Sequence, residues 1–349
     1  MLARFIVWII GWGLLVPAAI GQDPLETLDG PQVQELFQWL SRHSVDPEAF
    51  SQDALNRAAL QGLLQDGRTG AVVLSKAEVA PAAAQLPPLM ARLGERAAYL
   101  RPGPLDPEAL KPVAAFLSGL PPEVDTLILE LRVPGPPAPL AGALELSSLF
   151  LPDQTPLFLL QKNATPDPTV QQTHGPPVWN RRVWLLVDEG TPPVLELTAH
   201  LLVRHIDAQV FGSSTRGVMN ETTDHPLGPE HVLRLPSTTV SWPDGQRLTG
   251  TPLIPTTTVA PVPSSRAALL ALTDSAALAA HLIETDRPRL NEAALMAGAN
   301  PEFAIKSVAP ILRPDPLLQQ ACDLLITSAF LHLDAAVEIK RAEPGAPKK

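Results

Sequence analysis

At 349 residues and 45% hydrophobic content, the chain can build one large core or two modest ones and is too apolar to be a disordered polymer. A formal charge of −10 leaves no basic footprint for nucleic acid, and 40 prolines, against a usual share of roughly 5%, imply many rigid turns. The one cysteine, Cys322, permits no intrachain disulfide, so packing must supply the stability, and the thiol is expected to be buried and inert.

At the N-terminus, Arg4 precedes an apolar run from Phe5 to Val16, and Ala19-Ile20-Gly21 places small residues where a signal peptidase reads. This predicts a signal over 1–21, cleaved after Gly21, and an exported protein, periplasmic or extracellular. The run is shorter than the ~20 residues of a spanning helix, so no membrane span follows cleavage; retention as an uncleaved anchor stays open. No cysteine follows the run, which argues against a bacterial lipoprotein.

Helical periodicity is predicted over Pro31 to Leu40 and Asp53 to Gln65, with Ser51 or Asp53 able to cap the second helix. A short strand, Ala71 to Leu74, precedes an Ala/Pro-rich linker from Pro81 to Pro88. Strand and helix signals then alternate. Ala97 to Leu100 reads as a strand and Asp106 to Leu120 as a helix with Pro107 in its first turn. Thr126 to Arg132 is apolar enough for a strand covered on both faces. After the proline-rich loop Pro134 to Pro139 come a helix, Ala141 to Phe150, and strands at Pro156 to Leu160 and Val183 to Val187. A helix is expected over Pro193 to His205, with further strands at Gln209 to Phe211, His231 to Trp242 and Ile254 to Val259. The alternation predicts a largely parallel sheet with crossover helices. Thr256 to Ser265 reads as a linker, Ala267 to Glu284 and Pro316 to Leu333 as helices, and Arg341 to Lys349 as a frayed tail.

Several of these segments carry a resemblance. Leu127-Ile-Leu-Glu-Leu-Arg132 and, after a loop, Ala143-Leu-Glu-Leu-Ser-Ser-Leu-Phe-Leu-Pro152 resemble the C-terminal processing, or tail-specific, serine peptidases. In that family a Leu-Ile-Leu-Asp-Leu-Arg strand leads through Asn-Pro-Gly-Gly to a helix ending Leu-Phe-Leu-Pro. Trp184-Leu-Leu-Val-Asp-Glu-Gly-Thr191 looks like the strand into the nucleophile loop, and Val210-Phe-Gly-Ser-Ser-Thr-Arg-Gly217 like the segment delivering the lysine. Leu248-Thr-Gly-Thr-Pro-Leu-Ile-Pro255 resembles the closing turn and Asp315 to Leu325 the last helix. Order and approximate spacing hold over Tyr99 to Val259. The PDZ domain that usually precedes this core has no counterpart.

A Ser–Lys peptidase needs a hydroxyl nucleophile, a neutral amine within hydrogen-bond reach, and donors for the oxyanion. The resemblance puts the nucleophile on Pro193 and the base on Val218, after Thr215-Arg216-Gly217, and no lysine occurs between Lys162 and Lys306. Asn-Pro-Gly-Gly has become Val133-Pro-Gly-Pro-Pro137, whose prolines lack N–H donors. Three parts of one mechanism are missing. Glu196, three residues beyond Pro193, is read as a helix cap or dipole partner rather than a catalytic acid.

Other clusters carry less. His205, Asp207 and Ser213 fall on a helix end, a turn and a strand end, so their closeness in sequence builds no triad. Asp224, His225, Glu230 and His231 lack the spacing of a metal site and read as solvated loop residues. Ser213, Ser214 and Thr215 have no base placed by sequence, and Asn163-Ala-Thr165 is a bare glycosylation sequon. Arg132 is read as more apt to pair with a carboxylate than to bind a substrate terminus.

The expected architecture is an α/β core of the ClpP/crotonase type over 96–262. It is preceded by a helical segment and linker, 22–95, and followed by a helical extension and tail, 263–349. The expected function is an exported, catalytically inactive homologue that binds a peptide or protein C-terminus, without cofactor or metal. Its cleft candidates are Arg132, Gly135, Gly190, Thr191 and Gly217. An active serine-type peptidase with a non-standard base, and a structural envelope protein, are the alternatives; the oligomeric state stays open.

Overall fold

The computed structural model describes residues 28–65, 70–79, 85–135, 137–162, 167–275, 277–278 and 315–330. It divides into two units, Met1–Gly70 and Ala71–Lys349. In the first, α1 (Gly30–His43) starts from a capping box: Gln32 N–H donates to the Asp29 carboxylate, and Asp29 N–H to the Gln32 side chain. A 3-10 turn (Pro47–Phe50) leads to α2 (Gln52–Gln65). No residue of α1 is buried, and Leu36, Phe37, Trp39, Leu60 and Leu63 are exposed.

The second unit runs β1 (Val72–Ser75), β2 (Leu89–Leu93), β3 (Ala97–Arg101), α3 (Pro107–Ser118), β4 (Thr126–Glu130), α4 (Ala141–Ser148), β5 (Pro156–Lys162), β6 (Thr169–Gln172), β7 (Arg182–Val187) and α5 (Pro193–Ile206). It continues with β8 (Gln209–Gly212), β9 (Thr222–Leu227), β10 (His231–Pro236), β11 (Thr238–Ser241), β12 (Thr257–Thr258), α6 (Pro263–Leu270) and α7 (Pro316–Phe330). The main sheet has the order β12-β8-β7-β4-β3-β2, parallel throughout except for the antiparallel edge pair of β2 and β3. Two three-stranded antiparallel sheets, β1-β10-β9 and β11-β5-β6, complete the unit.

The near-continuous apolar runs are explained by burial on both sides of the main sheet. Alternation sends Leu100, Leu127, Leu129, Leu185 and Val210 into one core, shared with α3, α4 and α5. Tyr99, Ile128, Trp184, Leu186 and Phe211 face a second core, closed by Leu269 of α6 and by Leu317, Leu318, Ala321 and Leu325 of α7. The α7 face therefore belongs to the protein's own core. Burial pushes the Cys322 thiol on α7 up to about 12, which keeps it protonated and unreactive.

The mixed α/β architecture expected from the sequence is present, with corrections at its margins. The segment before residue 96 is not helical throughout, since it holds β1, paired with β10, and β2, paired with β3. His231 to Trp242 is not one strand: the chain breaks at Ser237, and β10 and β11 join different sheets. The Thr256–Ser265 stretch is not all linker, because α6 begins at Pro263 and ends at Leu270. Strands β6 and β9, polar and exposed, gave no alternation to read. The predicted signal, the Asn163 sequon, most of Ala276–Glu284 and the C-terminal tail lie outside the described residues.

Candidate functional site

Parallel strands deliver their C-terminal ends to one edge of the sheet, and the loops leaving β4, β7 and β8 meet there at the head of α5. Pro192 and Pro193 occupy the N-cap and first position of α5, where a missing N–H costs nothing. Neither offers a side chain that caps the helix. The carbonyl of Pro192 accepts from Leu195 and Glu196 N–H instead.

Glu196 does not cap its own helix. Its carboxylate reaches across to the segment after β8, accepting from Gly217 N–H at 2.7 Å, Val218 N–H at 3.1 Å and the Thr215 hydroxyl. Only 1% of Glu196 is exposed. Burial pushes its carboxyl above the usual glutamate range, against the pull of those hydrogen bonds and of Arg216. Thr215 Oγ1 also accepts from Leu253 N–H, and the Gly217 carbonyl accepts from Gly250 N–H, so the closing turn is stitched to the same place. Glu196 thus links Gly217 and Val218, after β8, to the first turn of α5 that begins at Pro193. Pro193 is half-buried, and Val218 is 40% exposed.

Among the cleft candidates the structure separates one residue from the rest. Gly135, with Val133, Pro134 and Ala138, faces Pro192, Val194 and Leu195 across a small, shallow cavity of about 30 Å³. Gly190 and Thr191 sit in a closed turn: Gly190 N–H donates to Asp188 Oδ1 at 2.8 Å, and Asp188 N–H to Thr191 Oγ1 at 3.0 Å. Thr191 is buried. Gly217 is buried too, with φ +74° and its α-carbon face against the Thr251–Pro252 backbone.

Arg132 is corrected from the cleft to the core. It is 1% exposed and forms a fork to Glu130, with Nε–Oε1 2.8 Å and Nη2–Oε2 2.6 Å. Its other contacts go to both oxygens of Asp315, at 3.2 and 3.1 Å. Burial alone would weaken its hold on the proton, but Glu130 and Asp315 hold the guanidinium more firmly charged than usual. Asp315 in turn accepts from Leu318 N–H at the head of α7. Pairing with a carboxylate, the bland reading of this arginine, is what is present.

His205 and Asp207 lie at the C-terminal end of α5, where Asp207 takes a left-handed φ of 52°, whereas Ser213 follows β8 at the opposite edge of the sheet. A 14-residue helix, about 21 Å long, separates the two sets. Asp224, His225 and His231 are not loop residues but members of the β9–β10 hairpin, with Asp224 paired to Arg234 at 2.7 Å and Glu230 in the turn. Ser214 is exposed.

Sequence reasoning missed Asp188 and Arg266, which hold the loop after β7. A signal existed for Glu196: a carboxylate between Leu195 and Leu197 of an otherwise apolar helix must find donors.

No family model matches this chain. No curated protein matches it either. Solved structures do show similarity. One is an inferred peptidase from Parabacteroides merdae, at 13% identity and TM-score 0.45 over 70% of this chain and 97% of that one. A lipoprotein from Streptococcus agalactiae follows at 16% identity and TM-score 0.41, over 64% and 83%. The photosystem II D1 C-terminal processing protease matches at 13% identity and TM-score 0.37, over 54% and 48%. Among the described residues, no helix is long and apolar enough to cross a membrane.

Proposed function

We propose that the protein is an exported, catalytically inactive relative of the tail-specific peptidases that binds a peptide or protein C-terminus. The supporting observation is the head of α5. Glu196 ties Gly217 and Val218 to the helix turn that begins at Pro193, which supports taking Pro193 and Val218, without a hydroxyl or an amine, for the two positions that the motif order assigns to nucleophile and base. No lysine lies between Lys162 and Lys306 to take over as base. A ClpP/crotonase-type core with an emptied dyad and a loop-lined cleft suits binding of an extended chain, with Gly135 on one wall and α5 on the other. The apolar run before Gly21 supports export.

The test uses purified protein and peptides with apolar C-terminal residues. Binding by calorimetry with no cleavage over hours is the expected result. Cleavage that disappears in Ser213→Ala or Ser214→Ala would establish an active peptidase with another base and sink this reading. No binding to any such peptide would favour a structural envelope protein.

A further inference from the structure

Helix α6 holds the loops after β4 and β7 through one side chain; the first brings Val133 to Gly135 and Ala138 to the cavity wall and the second Pro192, beside Gln85, Leu86 and the Pro102–Leu105 segment. Arg266 donates to the carbonyl of Arg132, the residue from which the Val133–Pro139 loop departs, at 2.6 Å through Nη2 and 3.2 Å through Nε. Its Nη1 lies 2.9 Å from Asp188 Oδ2, and Asp188 is 3% exposed. The other Asp188 oxygen accepts from Gly190 N–H. The guanidinium lies so close over Gly190 that a Cβ there would stand 2.8 Å from Nη1.

The far end of α6 is fastened as well. Arg101, buried at the end of β3, donates to the carbonyls of Leu270 at 2.8 Å and Leu272 at 2.9 Å. Three neighbouring strands, β3, β4 and β7, are thus hooked to one eight-residue helix at their C-terminal ends. The cavity beside the loop after β4 and the head of α5 is small, about 30 Å³.

We propose that α6 is a latch: Arg266 keeps the two site loops in a closed arrangement, and a chain gains the cleft only when Arg266 lets go. This rests on the peptide-binding reading for the identity of what enters, but not for the latch itself. Because loop opening breaks the Arg266 contacts, α6 docking and peptide seating oppose one another, and weakening the first strengthens the second.

The experiment compares the full chain with Arg266→Met and Arg266→Lys. Amide exchange at Gly190 and Thr191, whose N–H groups donate to Asp188, is followed alongside the affinity for a dye-labelled decapeptide ending Ala-Val-Leu. Arg266→Met is expected to speed exchange at both amides by about tenfold and to tighten peptide binding by about fivefold. Arg266→Lys, which keeps a cation beside Asp188 but loses the fork to the carbonyl, should fall between and carries the test if the methionine variant does not fold. Unchanged exchange at Gly190 and Thr191 overturns the latch. So does faster exchange with weaker peptide binding, which would make Arg266 an organiser of an open site. Faster exchange with no peptide binding by any of the proteins upholds the latch and fails the peptide-binding reading alone.

Discussion

The two loops that meet at the head of α5 are held in place by different means. The segment after β8 is gripped from within by Glu196 of α5 itself, a buried carboxylate satisfying three donors. The segment after β7 is gripped from outside by Arg266, which comes from α6 and is itself 24% exposed in its side chain. A grip made inside a nine-residue buried stretch of helix cannot relax without exposing the core. One made by a long, partly solvated side chain can let go without opening the core, at the cost of leaving the buried Asp188 carboxylate without its cation. The first loop is therefore a fixed wall of the candidate site and the second its adjustable one.

The sharpest break of that comparison is Glu196→Ala. It leaves two backbone N–H groups and a hydroxyl buried without their acceptor, and each such group costs about 1–3 kcal/mol. A loss of about 3–5 kcal/mol is expected by urea unfolding. A loss under about 1 kcal/mol would mean that the wall is held by something else.

His200, one turn further along α5, gives the next effect, through pH. It is 9% exposed and, among the described residues, its Nε2 has no partner. Burial lowers its pKa from 6.5 to about 4, while the Thr251 backbone pulls weakly the other way. The folded chain thus binds fewer protons than the unfolded one between these values. Stability present above pH 6.5 is lost as pH falls through that window to about 4, by about 3 kcal/mol. Glu196 has the opposite sign: its raised pKa contributes stability on the acid side that is lost as pH rises through it. His200→Gln should flatten the difference in stability between pH 6.5 and 4 relative to the parent, measured by denaturant unfolding at each pH.

How much of this could be read from the sequence differs between the same two loops. Strand β4, helix α5 and the placement of Pro193 and Val218 follow from apolar runs and motif order, since doubly buried strands leave no other pattern. The fixed wall was half legible, because a carboxylate in the apolar run Val194–Leu197 demands partners, though nothing in the sequence names Thr215 and Gly217 as the donors. The adjustable wall was invisible. Arg266 lies 78 residues from Asp188 and 134 from the Arg132 carbonyl it reaches, and a distant ion pair leaves no periodicity behind. Arg132 illustrates the same limit: its choice between core and cleft depended on Asp315, brought in by a helix 183 residues away.

The smallest effects come from adding one methyl group to each wall. Gly217→Ala must hold a φ of +74° and would put a Cβ 2.9 Å from the Pro252 nitrogen and 3.0 Å from the Thr251 carbonyl carbon, both backbone atoms that cannot step aside. It should cost about 2 kcal/mol. Gly190→Ala also meets an obstacle at 2.8 Å, but that obstacle is the tip of Arg266. A flexible tip can turn outward where backbone cannot, so the cost should stay below that of Gly217→Ala even with Asp188 losing part of its pairing, with the amide of residue 190 exchanging faster as the arginine leaves. Equal destabilisation by the two substitutions would erase the distinction between a fixed and an adjustable wall, because the Arg266 contact would then be as rigid as backbone.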